Sequence, residues 1–226
     1  SLHIQIDGVE KNTLATDRAR ALLAYLITQP NQLHRREKLA GLLWPERPDS
    51  TARQNLRKTL SRLRKGLAPY DILETDYKTV QLNSDLIQCD LWQLAQSLHD
   101  IEQPVGDTVT GATAVKLYTG EFLHGFYLAD SLAFEEWLLL EREMWHQRVV
   151  RVLSHLINQY EAAQAYEAVA QTAQQLLSME PWHEGAQRQL MWALAQNGRL
   201  PAALAHYQQY AQKLEAELGV APTPET

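Results

Sequence analysis

The 226-residue sequence holds a single cysteine, Cys89. It therefore has no internal disulfide and no thiolate cluster of its own. The longest uninterrupted apolar run, Ala21 to Ile27, is seven residues, far short of the roughly 20 that carry a helix across a bilayer. The opening SLHIQIDG lacks the cationic start and apolar stretch of a secretory signal, so a cytoplasmic protein is expected. Gly 10 and Pro 9 are few, and 45% of residues are apolar, which excludes a disordered or collagen-like chain. The signatures of phosphate, dinucleotide and zinc-protease sites (GxxxxGK[ST], GxGxxG, HExxH) are missing.

What chemistry-bearing residues remain do not converge. The eight histidines, at 3, 34, 99, 124, 146, 155, 183 and 206, have no nearby cysteine partner, so structural or surface roles are expected and no metal or cofactor is. Ser97, His99 and Asp100 supply triad residue types, but neighbours in sequence do not normally make a triad. Glu135, Glu136, Glu141 and Glu143 read as a solvated helix face rather than an acid–base pair. No enzyme is expected.

The charge is unevenly placed. Net charge is −6 overall, yet residues 1–99 carry +3 and residues 100–226 carry −9. Between 35 and 65 ten basic residues face three acids. Such a run is commonly a solvated helix face, so its placement decides its meaning.

Periodicity supplies the placement. Leu2 to Ile6 alternates and stops at Asp7-Gly8, which predicts a short strand, with a second near Glu10 to Leu14. Thr16 caps a first helix that ends before Pro30, and His34 to Trp44 forms a second, closed by Pro45 and Pro48. Asp49 or Ser50 caps a third helix that runs to about Leu67. On its wheel Ala52, Leu56, Leu60, Leu63 and Leu67 fall within an arc of about 80°, while Arg53, Gln54, Arg57, Lys58, Ser61, Arg62, Arg64 and Lys65 spread around the other side. A hairpin follows, Ile72–Thr75 and Thr79–Leu82, with Asp76-Tyr77-Lys78 at its tip. Ile101 to Gly111 reads as a linker. Beyond it helices are expected at about 112–119, 132–160, 165–178, 182–197 and 200–217. Segments 166–181 and 200–215 stand one tetratricopeptide period apart, although few residues match beyond Ala168 and Ala202. The loop GEFLHGFYLADS is expected to pack on the long helix. Trp137, Trp145, Tyr160, Trp182, Trp192 and Tyr207 are expected between helices, or lining a concave groove for a partner.

The stretches LLWPERPDSTARQNLRKTLSRLRKGL and LETDYKTVQLN resemble the OmpR-type winged-helix domain of the Streptomyces antibiotic regulatory protein (SARP) type of bacterial transcription activators. LYTGEFLHGFYLADSLAFEEWLLLERE and MEPWHEGAQRQLMWALAQNGRLPAALAHYQQYAQKLEAELGVAPTPET resemble the bacterial transcriptional activation domain of the same family. The resemblance covers nearly the whole chain. It departs at the N-terminus, where OmpR-type domains carry a longer sheet than the short stretch ahead of Thr16 can form.

The expected fold is mainly α: a winged helix-turn-helix domain at 1–98, then an all-α tetratricopeptide-like domain at 109–226. The resemblance makes 50–67 the recognition helix and 72–82 the wing. It implies a sequence-specific, DNA-binding transcriptional activator that docks helix 50–67 in the major groove. Arg53, Gln54, Arg57 and Lys58 are the candidates for base edges or adjacent phosphates, and Ser61, Arg62, Arg64 and Lys65 for phosphates. Tyr77 and Lys78 are assigned to the wing contact. The implied partner is double-stranded promoter DNA, with direct repeats bound by protomers head to tail, and the helical domain is expected to orient a second protomer as a homodimer, contact RNA polymerase or transmit a signal. The closing APTPET is linker-like and reads as a link to further domains. The rival reading is a protein-interaction scaffold whose basic winged helix binds protein or RNA.

Overall fold

The computed structural model describes residues 3–10, 14, 16–102, 117, 118 and 120–226. At the start β1 (Gln5–Ile6) and β2 (Val9–Glu10) pair antiparallel. Asp7 and Gly8 turn between them at φ 53 and 76, the left-handed pair that a tight hairpin needs. Of the second strand expected near Glu10 to Leu14, Glu10 lies in β2 and Leu14 in no strand, and residues 11–13 lie outside the described set. Helix α1 (Asp17–Thr28) starts at Thr16, whose hydroxyl accepts from the Ala19 amide at 3.3 Å.

Next come β3 (His34–Arg35), α2 (Arg36–Leu43), α3 (Asp49–Gly66), β4 (Leu73–Thr75), β5 (Thr79–Leu82) and α4 (Asp90–Glu102). The three strands order β3-β5-β4, all antiparallel, with His34 opposite Val80 and Leu73 opposite Leu82. This is a winged helix. Two expectations are corrected. His34 and Arg35 belong to a strand rather than to the second helix, because β5 offers them a ladder. Neither Asp49 nor Ser50 caps α3: Pro48 is the N-cap residue and Asp49 sits in the first turn, where its charge complements the helix dipole. Helix α4 adds to the expected elements, and Asp90 followed by Leu91, Leu94 and Leu98 carries its helical signal. The helix expected at 112–119 and most of the expected linker lie outside the described residues.

The described residues form two compact units that interleave along the chain. One takes everything up to Trp92 together with Gly120–Trp145, and the other takes Gln93 onward and His146–Thr226. Composition places the boundary at Ile101 to Gly111, which puts residues 120–145 with the second domain; packing groups them with the first. Helix α5 (Leu132–Ala162) gives residues to both units.

The core of the first unit joins Leu22 and Leu26 of α1, Leu39 and Leu43 of α2, Leu56 and Leu63 of α3 and Leu73 and Leu82 of the hairpin. Leu123, Leu128, Phe134 and Leu138 complete it. Polar contacts hold this late segment in place. Ser131 Oγ donates to the Leu42 carbonyl at 2.6 Å, and Arg18 donates to the Ala129 carbonyl at 3.0 Å. The Tyr25 and Trp137 rings meet edge to face at 5.1 Å. The loop expected to pack on the long helix does so, because the Arg142 guanidinium donates to the carbonyls of Phe122, Leu123 and Phe126. The glutamate cluster is not simply solvated. Glu135 accepts from the Leu128 amide at 2.7 Å, and Glu141 accepts from the Trp137 indole at 3.2 Å; burial pushes the Glu141 carboxyl up.

The second unit is helical throughout its described elements. Helices α6 (Tyr166–Met179), α7 (Glu184–Gln196) and α8 (Leu200–Leu218) pack in sequence as antiparallel neighbours. Buried alanines at 170, 173, 186, 193 and 203 let the helices approach closely. His146 of α5 meets Glu180 at 2.6 Å. The buried Gln187 donates to the Pro181 carbonyl and receives His206 on its oxygen. Gly219 ends α8 at φ 69, the left-handed C-terminal cap. The tail then returns to Glu184, which accepts from the Thr223 amide and from the hydroxyls of Thr223 and Thr226. These bonds hold the Glu184 carboxyl below its usual range.

Phe134 is fully buried, so Phe134→Ala is expected to cost about 3–5 kcal/mol, seen as lost urea stability of the N-terminal unit. His34 is buried against Tyr25. Desolvation and the nearby Lys38 push its pKa down against a hydrogen bond to the Gln29 backbone. The folded state thus refuses a proton that the unfolded chain accepts near pH 6.5. Stability from His34 is complete above about pH 6.5 and declines as pH falls below it. A urea series from pH 7.5 to 5 is expected to show a smaller decline in His34→Asn than in the wild type.

Candidate nucleic-acid interface

Helix α3 is buried along one stripe and open elsewhere. Ala52, Leu56, Leu60, Leu63 and Leu67 are each 5% exposed or less, as their spacing predicts. Thr59 is also buried. Arg53, Gln54, Arg57, Lys58, Ser61, Arg62 and Lys65 are exposed on the remaining surface. Among the described residues no carboxylate forms an ion pair with Arg57, Lys58, Arg62 or Lys65. Arg53 faces Glu37 at 3.7 Å, with both side chains more than half exposed; such a pair contributes little and is easily exchanged.

Arg64 departs from this pattern. It is only partly exposed, and its guanidinium donates to the Leu73 carbonyl at 3.1 Å and to the Thr75 hydroxyl at 2.5 Å, with Asp71 at 3.4 Å. The residue expected to anchor a phosphate is therefore engaged within the protein. It fastens the last turn of α3 to β4, and so sets where the wing stands relative to the helix.

The wing tip is built from its own backbone. Asp76 Oδ1 accepts from the amides of Lys78 and Thr79 at 2.6 and 2.5 Å, and Oδ2 accepts from the Thr79 hydroxyl at 2.9 Å. These bonds hold the Asp76 carboxyl below its usual range. The turn leaves Tyr77 94% exposed and Lys78 exposed beside it. The Arg36 amide donates to the Lys78 carbonyl at 2.9 Å, which ties the base of the tip to the start of α2.

Several further exposed residues belong to this surface beyond those the sequence singles out. Ser50 and Thr51 precede Arg53 and Gln54 on the first turns of α3. Arg35 lies on β3 opposite Thr79, next to the wing tip, and Arg47 in the α2–α3 turn is exposed. The basic run includes both arginines, but only the β3–β5 pairing brings Arg35 to the wing. No group of three metal-ligating side chains occurs among the described residues.

Arg64→Gln is expected to leave the core intact while loosening the wing. Amide exchange at Leu73 to Thr75 should quicken while that of the α3 core is unchanged; equal exchange in the variant would remove the positioning role.

Comparison with known families matches residues 90–226 to the bacterial transcriptional activator domain and residues 10–81 to the C-terminal domain of transcriptional regulatory proteins. The transcriptional regulatory protein MoaR1 of Mycobacterium tuberculosis is 26% identical over 235 residues, covering 99% of this chain and 73% of that protein. The regulatory protein AfsR of Streptomyces griseus is 30% identical over 229 residues, covering 96% of this chain but 22% of AfsR. The structure of Mycobacterium tuberculosis EmbR in complex with a low affinity phosphopeptide shares the fold, at a TM-score of 0.69 and 24% identity. The match covers 99% of this chain and 60% of the EmbR chain. The chain belongs to the bacterial transcriptional activator domain family, in the SARP-type arrangement that sets an OmpR-type winged helix ahead of that domain, and so to a family of transcriptional regulators.

Proposed function

We propose that this chain is a sequence-specific, DNA-binding transcriptional activator acting in the cytoplasm. The observation that carries the reading is the exposed cationic face of α3 beside an exposed wing tip, on a helix whose other face is locked into the core. B-DNA's major groove admits an α-helix, and arginine donates bidentate bonds to guanine while glutamine reads adenine. Arg53, Gln54, Arg57 and Lys58, near the start of α3, take base edges or the phosphates next to them. Ser61, Arg62 and Lys65, on later turns, take phosphates. Tyr77 and Lys78 reach the neighbouring minor groove or backbone, and Arg64 keeps the wing at the spacing this requires. Glu37 yields Arg53 to the duplex.

The domain at 109–226 then acts on partners, contacting RNA polymerase and ordering a second protomer on a direct repeat. Among the described residues no helix is long and apolar enough to cross a membrane, which fits action on DNA.

Selection of the purified chain on random duplexes, followed by anisotropy titration across salt, tests the reading. Each phosphate neutralised contributes a slope of roughly −0.9 in log affinity against log salt, so engagement of the six exposed cations Arg53, Arg57, Lys58, Arg62, Lys65 and Lys78 gives roughly −5. Arg57→Ala is expected to weaken the selected site by about 1–3 kcal/mol and relax its sequence preference, whereas Lys65→Ala should weaken all duplexes alike and flatten the slope by about 1. Absence of any enriched sequence, with binding transferred to RNA or to a protein, establishes the scaffold reading instead.

A further inference from the structure

Helix α6 begins at Tyr166 and α8 at Leu200, one tetratricopeptide period later. In α6, which packs against α7, the positions Ala170 and Ala173 are 4% and 0% exposed. One period on, the same positions of α8 hold Leu204 and Tyr207. These larger apolar residues are 57% and 39% exposed. A helical repeat array that ends in solvent closes with a polar outer face, and α8 does not.

A groove of about 610 Å³ lies along this bare face. Trp192 of α7, 37% exposed, forms the wall opposite Leu204 and Tyr207, and its ring is steadied by an edge contact to Tyr166 at 5.1 Å. Glu161 and Glu225 stand at the rim with one cation, Arg188. The tail lines one edge of the groove with Glu225 and Thr226 and is held there by the bonds of Thr223 and Thr226 to Glu184.

We propose that this groove seats an amphipathic α-helix of a partner protein, which takes against α8 the place that α7 takes against α6. Grooves of this kind read apolar anchors at i, i+3 or i+4 and i+7. The repeat defines those anchors: α7 meets its neighbours with Ala186, Leu190, Ala193 and Leu194, all buried. The carboxylates of Glu161 and Glu225, in a half of the chain that carries −9, call for basic residues flanking that stripe. Arg188 accommodates a single acid. The proposal does not rest on the DNA reading.

The probe is a fluorescein-labelled peptide carrying the sequence of Glu184–Gln196 with two lysines added at each end, titrated by anisotropy with the whole chain. Saturable binding is expected, at least tenfold weaker for Leu204→Glu and for Tyr207→Ala, and unchanged for Leu139→Glu, an exposed leucine of the other unit. Replacing the added lysines with glutamates should also weaken binding at least tenfold. Circular dichroism and duplex binding of Leu204→Glu, measured in parallel, show that the variant folds and keep failure here separate from failure of DNA recognition. No saturable binding, equal binding of a scrambled peptide, or undiminished binding to a folded Leu204→Glu overturns the proposal. Concentration-dependent self-association that Leu204→Glu abolishes also overturns it, because a second copy then fills the groove.

Discussion

Everything on the DNA-binding side depends on how narrowly α3 is buried. A stripe of about 80° of its circumference, made of small Ala52 and a run of leucines, is enough to fix the helix in the core. The rest of the surface remains free for long cationic side chains. Burial of each leucine is worth roughly 1.5–3 kcal/mol, and that stabilisation must outweigh the repulsion among clustered arginines and lysines. A wider apolar arc would have stabilised the helix further and removed the positions that can face a duplex. The absence of compensating carboxylates along Arg57, Lys58, Arg62 and Lys65, among the described residues, belongs to the same arrangement, since cations already neutralised would gain less from phosphate.

A rigid helix alone does not fix a two-point contact; the wing must stand at a set distance from it. Arg64 supplies that link by donating to Leu73 and Thr75, and Asp76 supplies the shape of the tip by capping two amides. Both are polar groups whose partners lie nearby in the chain, so the helix end and the hairpin are set together. The charge of Arg64 is thus turned inward, while its neighbours on α3 point outward.

How much of this the sequence reveals varies with the range of the interactions. The stripe on α3, the Thr16 cap and the Asp7-Gly8 turn are local, and each is legible from spacing or turn chemistry. The hairpin is legible for the same reason. His34 and Arg35 are not, because their strand exists only through pairing with Val80 and Thr79, far along the chain. Arg64 shows the same gap at the site: on a helical wheel it belongs with the cations, and only the fold reveals that Leu73, Thr75 and Asp71 surround it. Trp192 and Tyr207 satisfy the pattern of core aromatics equally well whether or not a covering helix is present, so their exposure is visible only in the structure. The place of residues 120–145 in the first core is hidden by the linker-like stretch before them, which suggests a boundary where packing passes across.

That interleaving has a consequence in time. Phe134 and Leu138 belong to the same core as Leu22 and Leu56, yet they are synthesised after the whole winged helix has been made. The stretch from Trp92 to Trp145 takes seconds to translate at ordinary ribosomal speed. During that interval the nascent chain carries its cationic helix on an unfinished core. The core that holds the cationic helix is therefore completed only once the start of the long helix has emerged from the ribosome.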